Sequence, residues 1–210
     1  MKVAVVTPVG PNADGVLLDW CSRSVADQSY PCDHIKVADG GYQFCTIRLP
    51  QSANDIGSTP RAIGSAYAFG QGYDAVCWLD SDNWLVPDHV ERLVKHHYTT
   101  GKPIVASGRW VTDVAGELVE ECVEQVPGSG FFDTNTYLVT KEAKWFAALW
   151  SMLMPNQHII GDRILSKYAE GHVSCHYAPT VYYRSRLKFH YDRYGWPQEG
   201  VNLEVKTYTP

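Results

Sequence analysis

No C-x-x-C pair occurs among the six cysteines, which stand at 21, 32, 45, 77, 122 and 175. Zinc ribbons and thiol redox sites depend on that spacing, so both are disfavoured. Scattered thiols, one of them inside an apolar run, are expected to be free, as in a reducing cytoplasm. No window reaches the ~18 consecutive apolar residues of a membrane span. The amino terminus has no basic stretch, long apolar core or small-residue cleavage site. It starts directly on Val3-Ala4-Val5-Val6 and does not read as a signal peptide. A cytoplasmic protein is expected. No G-x-G-x-x-G follows that first apolar run, which disfavours a dinucleotide-dependent oxidoreductase. Positive charge is not in excess either: the net charge is −5 and the pI about 5.9. A broad basic surface for a nucleic-acid backbone is therefore not expected, although Arg184, Arg186 and Lys188 lie close together.

What is present suits one globular domain: 210 residues, 45% hydrophobic and 20% charged. Strand signals alternate with helix signals. Val3 to Val6 is a β-branched run ending at Thr7-Pro8. Leu17, Cys21 and Val25 then repeat at helical spacing to about Gln28. His34 to Ala38 is a second strand, ending in Asp39-Gly40, and Cys45 to Leu49 is a possible short one. Thr59-Pro60 is expected to start a helix, with Thr59 as a capping hydroxyl, that reaches Phe69. Pro87 opens another helix to about Tyr98. Strands follow at Ile104–Ala106 and Tyr137–Val139, with a β excursion between them turning near Gly116 and a flexible loop over Val126–Gly130. Thr140 is expected to cap a helix to Leu149. Gly161-Asp162-Arg163 opens a short helix closed by Gly171, and Val173–Tyr177 is a last strand. The aromatic and basic tail after Tyr183 has no clear periodicity. The pattern predicts an α/β sheet with ligands at the carboxyl ends of its strands.

The strongest chemical signal is Asp80-Ser81-Asp82, at the end of Ala75-Val76-Cys77-Trp78-Leu79. On an extended backbone the i, i+2 spacing puts both carboxylates on one face. Such a pair can hold a hard divalent cation, with water and substrate phosphates as the other ligands. An ordinary acidic turn is the plainer alternative. Two other strands also end in polar groups, at Thr7-Pro8 and Asp39-Gly40, so three polar ends fall along one crevice.

At these residues the sequence resembles the family-2 glycosyltransferases. The resemblance lies in Val3–Val9, Ser24–Pro31 and Val37-Ala38-Asp39-Gly40, then in Asn54-x-x-Gly57-x-x-x-Arg61, the segment Tyr73–Pro87, and Gly161-Asp162-Arg163. It covers about residues 1–185. At the last motif the family normally has Glu-Asp, and here Gly161 stands in place of the Glu. The resemblance implies a single A-type nucleotide-sugar-binding domain, Rossmann-like, with a mixed, mainly parallel sheet flanked by helices. Residues 1–100 would form the nucleotide-sugar half, 101–185 the acceptor half and 186–210 a tail. It also implies roles. Thr7, Pro8 and Asp39 would line the nucleobase pocket. Arg61 would bind phosphate or hold Asp39 or Asp80. Asp80, with Ser81, would contact the ribose and support the metal, and Asp82 would ligate Mn²⁺ or Mg²⁺. Asp162 would be the general base on the acceptor hydroxyl. His190 stands where some A-type enzymes place a metal-ligating histidine.

The resemblance therefore implies inverting transfer from a nucleotide sugar, a UDP-sugar, to a hydroxyl. Asp162 read alone is an ordinary acid in a first helical turn. His96, His97, His172 and His176 read as structural. The aromatic tail (Tyr182, Tyr183, Tyr191, Tyr194, Trp196) could stack on sugars or cap the sheet. The rival functions are a sugar nucleotidyltransferase, for which Thr7–Gly15 is a poor phosphate loop, and a non-catalytic sugar- or nucleotide-binding module.

Overall fold

The structure is a computed structural model and describes residues 1–41, 44–124 and 131–205. In chain order its first half runs β1 (Val3–Val9), α1 (Gly15–Ala26), β2 (Cys32–Ala38), β3 (Ile47–Arg48), α2 (Ser58–Gly70), β4 (Ala75–Trp78), β5 (Trp84–Leu85) and α3 (His89–Thr100). The second half runs β6 (Ile104–Thr112), β7 (Leu118–Glu124), β8 (Tyr137–Thr140), α4 (Lys144–Ala148), α5 (Gly161–Ala169), β9 (Val173–Arg184) and α6 (Lys188–Tyr194).

Among the described residues one sheet joins nine strands, in the order β3-β2-β1-β4-β8-β6-β9-β5, with β7 on β6. From β3 to β4 every pairing is parallel. β8 then runs antiparallel to both β4 and β6, while β9 returns parallel to β6. The architecture is a single α/β domain with a mixed sheet flanked by helices.

The central strands β1, β4 and β8 are buried along their whole length because both faces of the sheet are covered there. β1 shows this residue by residue. Ala4 and Val6 join one core with Val37, Ala68, Trp78 and Phe146; Val3 and Val5 join the other with Cys21, Val25, Cys77 and Leu93. α1 covers the second face through Leu18, Cys21 and Val25, spaced at i, i+3 and i+7. Its first turn is capped by Asp14, whose carboxylate accepts the N–H groups of Val16 at 2.8 Å and Leu17 at 3.3 Å.

Several local expectations change. Thr59 does not cap α2: the helix begins at Ser58, and the Asp55 carboxylate accepts the Thr59 N–H at 2.8 Å. The Thr140 hydroxyl donates to the Pro103 carbonyl at 3.0 Å, so it ties the end of β8 to its neighbour instead of capping the helix. The last strand runs on to Arg184 because β6 continues beside it to Thr112, with register shifts at Ser107–Arg109 absorbing the twist. The tail is not aperiodic, since it forms α6, which buries His190 and Tyr191. Gly116 turns the β6–β7 excursion at φ 81°, whereas the whole of the expected 126–130 loop lies outside the described residues. Cys21, Cys32, Cys45, Cys77 and Cys175 are free, and no described helix is long and apolar enough to cross a membrane.

α2 approaches the sheet through Gly64. A Cβ there would stand 2.4 Å from Val6 Cγ1 and 2.9 Å from Val37 Cγ2. Gly64→Ala should therefore destabilise the fold by about 1–3 kcal/mol through overpacking, despite alanine's better helix propensity. Urea unfolding checks this; an unchanged midpoint would mean that α2 can ride away from the sheet freely.

Candidate functional site

The crevice lies beyond the carboxyl ends of β1, β2 and β4. Asp80 and Asp82 are not on an extended strand. β4 stops at Trp78, and a turn follows, closed by the Asn83 N–H donating to the Asp80 carbonyl at 3.1 Å. Ser81 and Asp82 occupy the centre of this turn. The acids are still neighbours, but because the chain folds back, not because of strand alternation.

Asp80 is held from two sides. Its Oδ1 pairs with Arg61 Nη2, and Asn135 Nδ2 donates to its Oδ2 at 3.2 Å. The Asp80 N–H donates to Asn135 Oδ1 at 2.5 Å. Arg61 thus holds Asp80, one of the two aspartates it was expected to reach. Arg61 is nearly buried, with its guanidinium 4.9 Å from the centre of the Trp150 ring. Its Nη1 donates to the Ile56 carbonyl at 2.9 Å. That carbonyl is presented by a strained loop: Asn54, Ile56 and Gly57 have φ of 53°, 57° and 80°. For a β-branched residue such as Ile56 this conformation costs on the order of 1–3 kcal/mol.

Asp82 makes no side-chain hydrogen bond to another of the described residues. Burial penalises its charge and Asp80 repels it, and together these push its carboxyl up to about 6; Arg186 and Arg184 pull the other way. Among the described residues no three His, Cys, Asp or Glu side chains gather closely enough to hold a metal by themselves. The donor set nevertheless fits a hard cation that takes its other ligands from phosphate and water. A partly buried carboxylate that is costly to ionise is relieved by such an ion.

The other expected residues fall as follows. The Asp39 carboxylate pins the next loop, accepting Ser52 Oγ at 2.9 Å and the Ala53 N–H at 2.7 Å. Pro8 is buried under that loop's end, where a Cβ on Gly57 would stand 3.0 Å from Pro8 Cβ. Thr7 is corrected. Its side chain points to the opposite face, with its hydroxyl 2.8 Å from His34 Nε2 and 3.8 Å from Cys21 Sγ. Pleating sends Val3, Val5 and Thr7 one way and Ala4, Val6 and Pro8 the other. His190 sits on a helix, with Nδ1 2.6 Å from Ser185 Oγ. Tyr183 stands edge-on to it, with ring centroids 6.1 Å apart, and feels the charges of both Asp82 and Asp80.

Asp162 lies in the first turn of α5, half-buried, and accepts the Arg163 N–H at 2.8 Å. Two links tie α5 to the site. Ser166 donates to the Asp162 carbonyl at 2.7 Å and accepts the Phe132 N–H at 2.9 Å. Gly161 lies against Trp150, the ring under Arg61, and a Cβ there would stand 2.6 Å from Trp150 Cζ3. A side chain at position 161 would therefore collide with Trp150. The sequence reading missed Asn135 and Trp150. Asp133-Thr134-Asn135-Thr136, a polar cluster directly before an apolar strand, was the available signal for the first.

No protein-family model matches the sequence, and no curated protein does. Solved structures match the fold. S. aureus TarS 1-349 in complex with UDP superposes at a TM-score of 0.64 with 14% identity, covering 97% of this chain and 67% of that one. The complex with UDP-GlcNAc gives 0.60 at 14% identity, covering 97% and 68%. A197 from STIV gives 0.50 at 10% identity, covering 85% and 83%. The chain has the A-type glycosyltransferase fold. In this A-type domain the turn at 80–83 follows the innermost parallel strand, the place where the sheet changes from parallel to antiparallel pairing.

The Asp82 carboxyl has a stability consequence. Its folded value lies above the ordinary 3.8, so the native state holds that proton more tightly than the unfolded chain does. Its contribution to stability therefore falls as pH rises from about 4 to about 6, and the loss persists above that. Without divalent cations, Asp82→Asn should be more stable than the wild type at pH 7, by on the order of 1–3 kcal/mol. It should also lose this part of the pH dependence. Denaturant unfolding in chelator across pH 4–7 measures both; equal stabilities at pH 7 would mean that the carboxylate is fully solvated.

Proposed function

We propose that the protein is an inverting glycosyltransferase that moves a sugar from a nucleotide sugar, a UDP-sugar, to an acceptor hydroxyl with Mn²⁺ or Mg²⁺. The observation that carries this is the turn at 80–83: one acid locked by Arg61 and Asn135, the next without a side-chain hydrogen bond to another described residue and costly to ionise. UDP and UDP-GlcNAc are the ligands of the TarS structures with the same fold, which makes them the first compounds to try.

In this reading Pro8 and Asp39 border the nucleoside pocket, and Asp80 and Ser81 meet the ribose. Asp82 and His190 would hold the cation, the Nδ1 contact with Ser185 fixing the orientation of the His190 ring. When bound, the cation neutralises the negative charge that builds on the departing diphosphate. Asp162 accepts the proton of the acceptor hydroxyl as that oxygen attacks the anomeric carbon. The bond from that carbon to the phosphate oxygen breaks, and its electron pair leaves with UDP. One in-line displacement inverts the anomeric centre.

Asp162→Asn separates this reading from a non-catalytic binding module. The variant should keep its affinity for UDP with Mn²⁺ by calorimetry and lose transfer by about 10²–10⁴-fold. The wild-type product should carry the inverted configuration by proton NMR. Near-normal turnover in the variant, or a product that retains the donor's configuration, sinks the mechanism.

A further inference from the structure

Asn135 is fully buried in the turn just before β8, and its amide meets Asp80 twice. Its oxygen accepts the Asp80 N–H, and its nitrogen donates to the Asp80 carboxylate. The second Nδ2 hydrogen goes to Asp133 Oδ1 at 2.6 Å. The orientation of the amide follows from this: a flipped amide would turn NH₂ toward an N–H group and oxygen toward two carboxylates. Asp133 is fixed in turn. It accepts the Asn135 N–H at 2.9 Å and forms a buried ion pair with Arg109, whose guanidinium lies 4.0 Å from the centre of the Tyr183 ring. Arg109, Asp133, Asn135, Asp80 and Arg61 thus form one continuous chain. Two cations and two anions flank a neutral amide, so the charges balance inside the fold.

We propose that Asn135 is a positioning residue for the nucleotide and its cation: it sets the orientation of Asp80 and so the turn that presents Asp82. This rests on the reading of that turn as the donor site. Asn135 touches no substrate in this scheme. It acts through Asp80, and the Asp133–Arg109 pair keeps its amide aimed. A carboxylate held by the guanidinium alone could swing about that one contact, and the two-point grip of the amide removes that freedom.

Two substitutions test this, because either one could weaken folding. Asn135→Leu removes all the hydrogen bonds of the amide; Asn135→Asp keeps its shape but loses both donors. Kd for UDP in the presence of Mn²⁺ is measured by calorimetry on protein whose near-ultraviolet circular dichroism matches the wild type. Affinity should fall at least tenfold in each, the usual effect of removing a group that orients a ligand. Thr140→Val, which loses a hydrogen bond at the far end of β8, is the control. It should lower Tm and leave Kd unchanged. UDP affinity within twofold of wild type in either folded variant overturns the positioning role and leaves Asn135 merely structural. If the wild type itself binds no UDP with Mn²⁺, the donor-site reading falls first, so the two failures can be told apart.

Discussion

The ion pair between Arg61 and Asp80 is the contact on which the site depends. Arg61 comes from α2 on one face of the sheet, and Asp80 follows the innermost parallel strand. Around this pair gather the strained loop at 54–57, the Trp150 ring and the Asn135 amide. Each belongs to a different stretch of chain. Burying two charges is expensive unless their remaining hydrogen-bonding capacity is met. Here the Asp80 carboxylate is met by Asn135, and Arg61 also reaches the Ile56 carbonyl. Arg61 is the more deeply buried partner, with 7% of its side chain exposed against 27% for Asp80, so removing the aspartate would strand the arginine's charge.

This arrangement explains how the second half of the chain reaches a site built by the first. The parallel strands β1, β2 and β4 supply the crevice. The antiparallel strand β8 then brings Asn135 beside Asp80, and α5 is docked by Ser166 against Phe132 and by Gly161 against Trp150. Asp162 is therefore positioned by packing, not by a direct bond to the acidic turn. The absence of a side chain at Gly161 and the presence of Trp150 are two halves of one fit.

Much of this was legible in the residues. The apolar runs of β1 and β4 announce strands buried on both faces, the alternation in β2 one that is buried on one face, and their polar ends mark the crevice. The spacing of Asp80 and Asp82 was informative, but the geometry inferred from it was not the one seen. A backbone hydrogen bond from Asn83 closes a turn where an extended strand was expected. Thr7 was misplaced although the signal was there: strict alternation from Val3 puts its hydroxyl on the α1 face, beside His34 and Cys21. Asn135 was hidden for a different reason. Its partner lies 55 positions earlier in the chain, and no local pattern records a contact that only the sheet order creates. The helix at 188–194 was missed because its buried side, His190 and Tyr191, offers too short a stripe for periodicity to show.

The loop at Asn54–Gly57 bears on any effort to make this protein sturdier. Three left-handed residues in four is a poor conformation to hold, and Ile56, with 62% of its surface exposed, gains little from burial there. A search for thermostable variants would reach this loop early, since glycine at 56 relieves the torsion at little packing loss. Yet the twisted backbone is what turns the Ile56 carbonyl onto Arg61. Variants selected for heat resistance alone should therefore drift toward a better-relaxed loop and a worse-aimed arginine, and hardiness and the aim of Arg61 at Asp80 would have to be selected together.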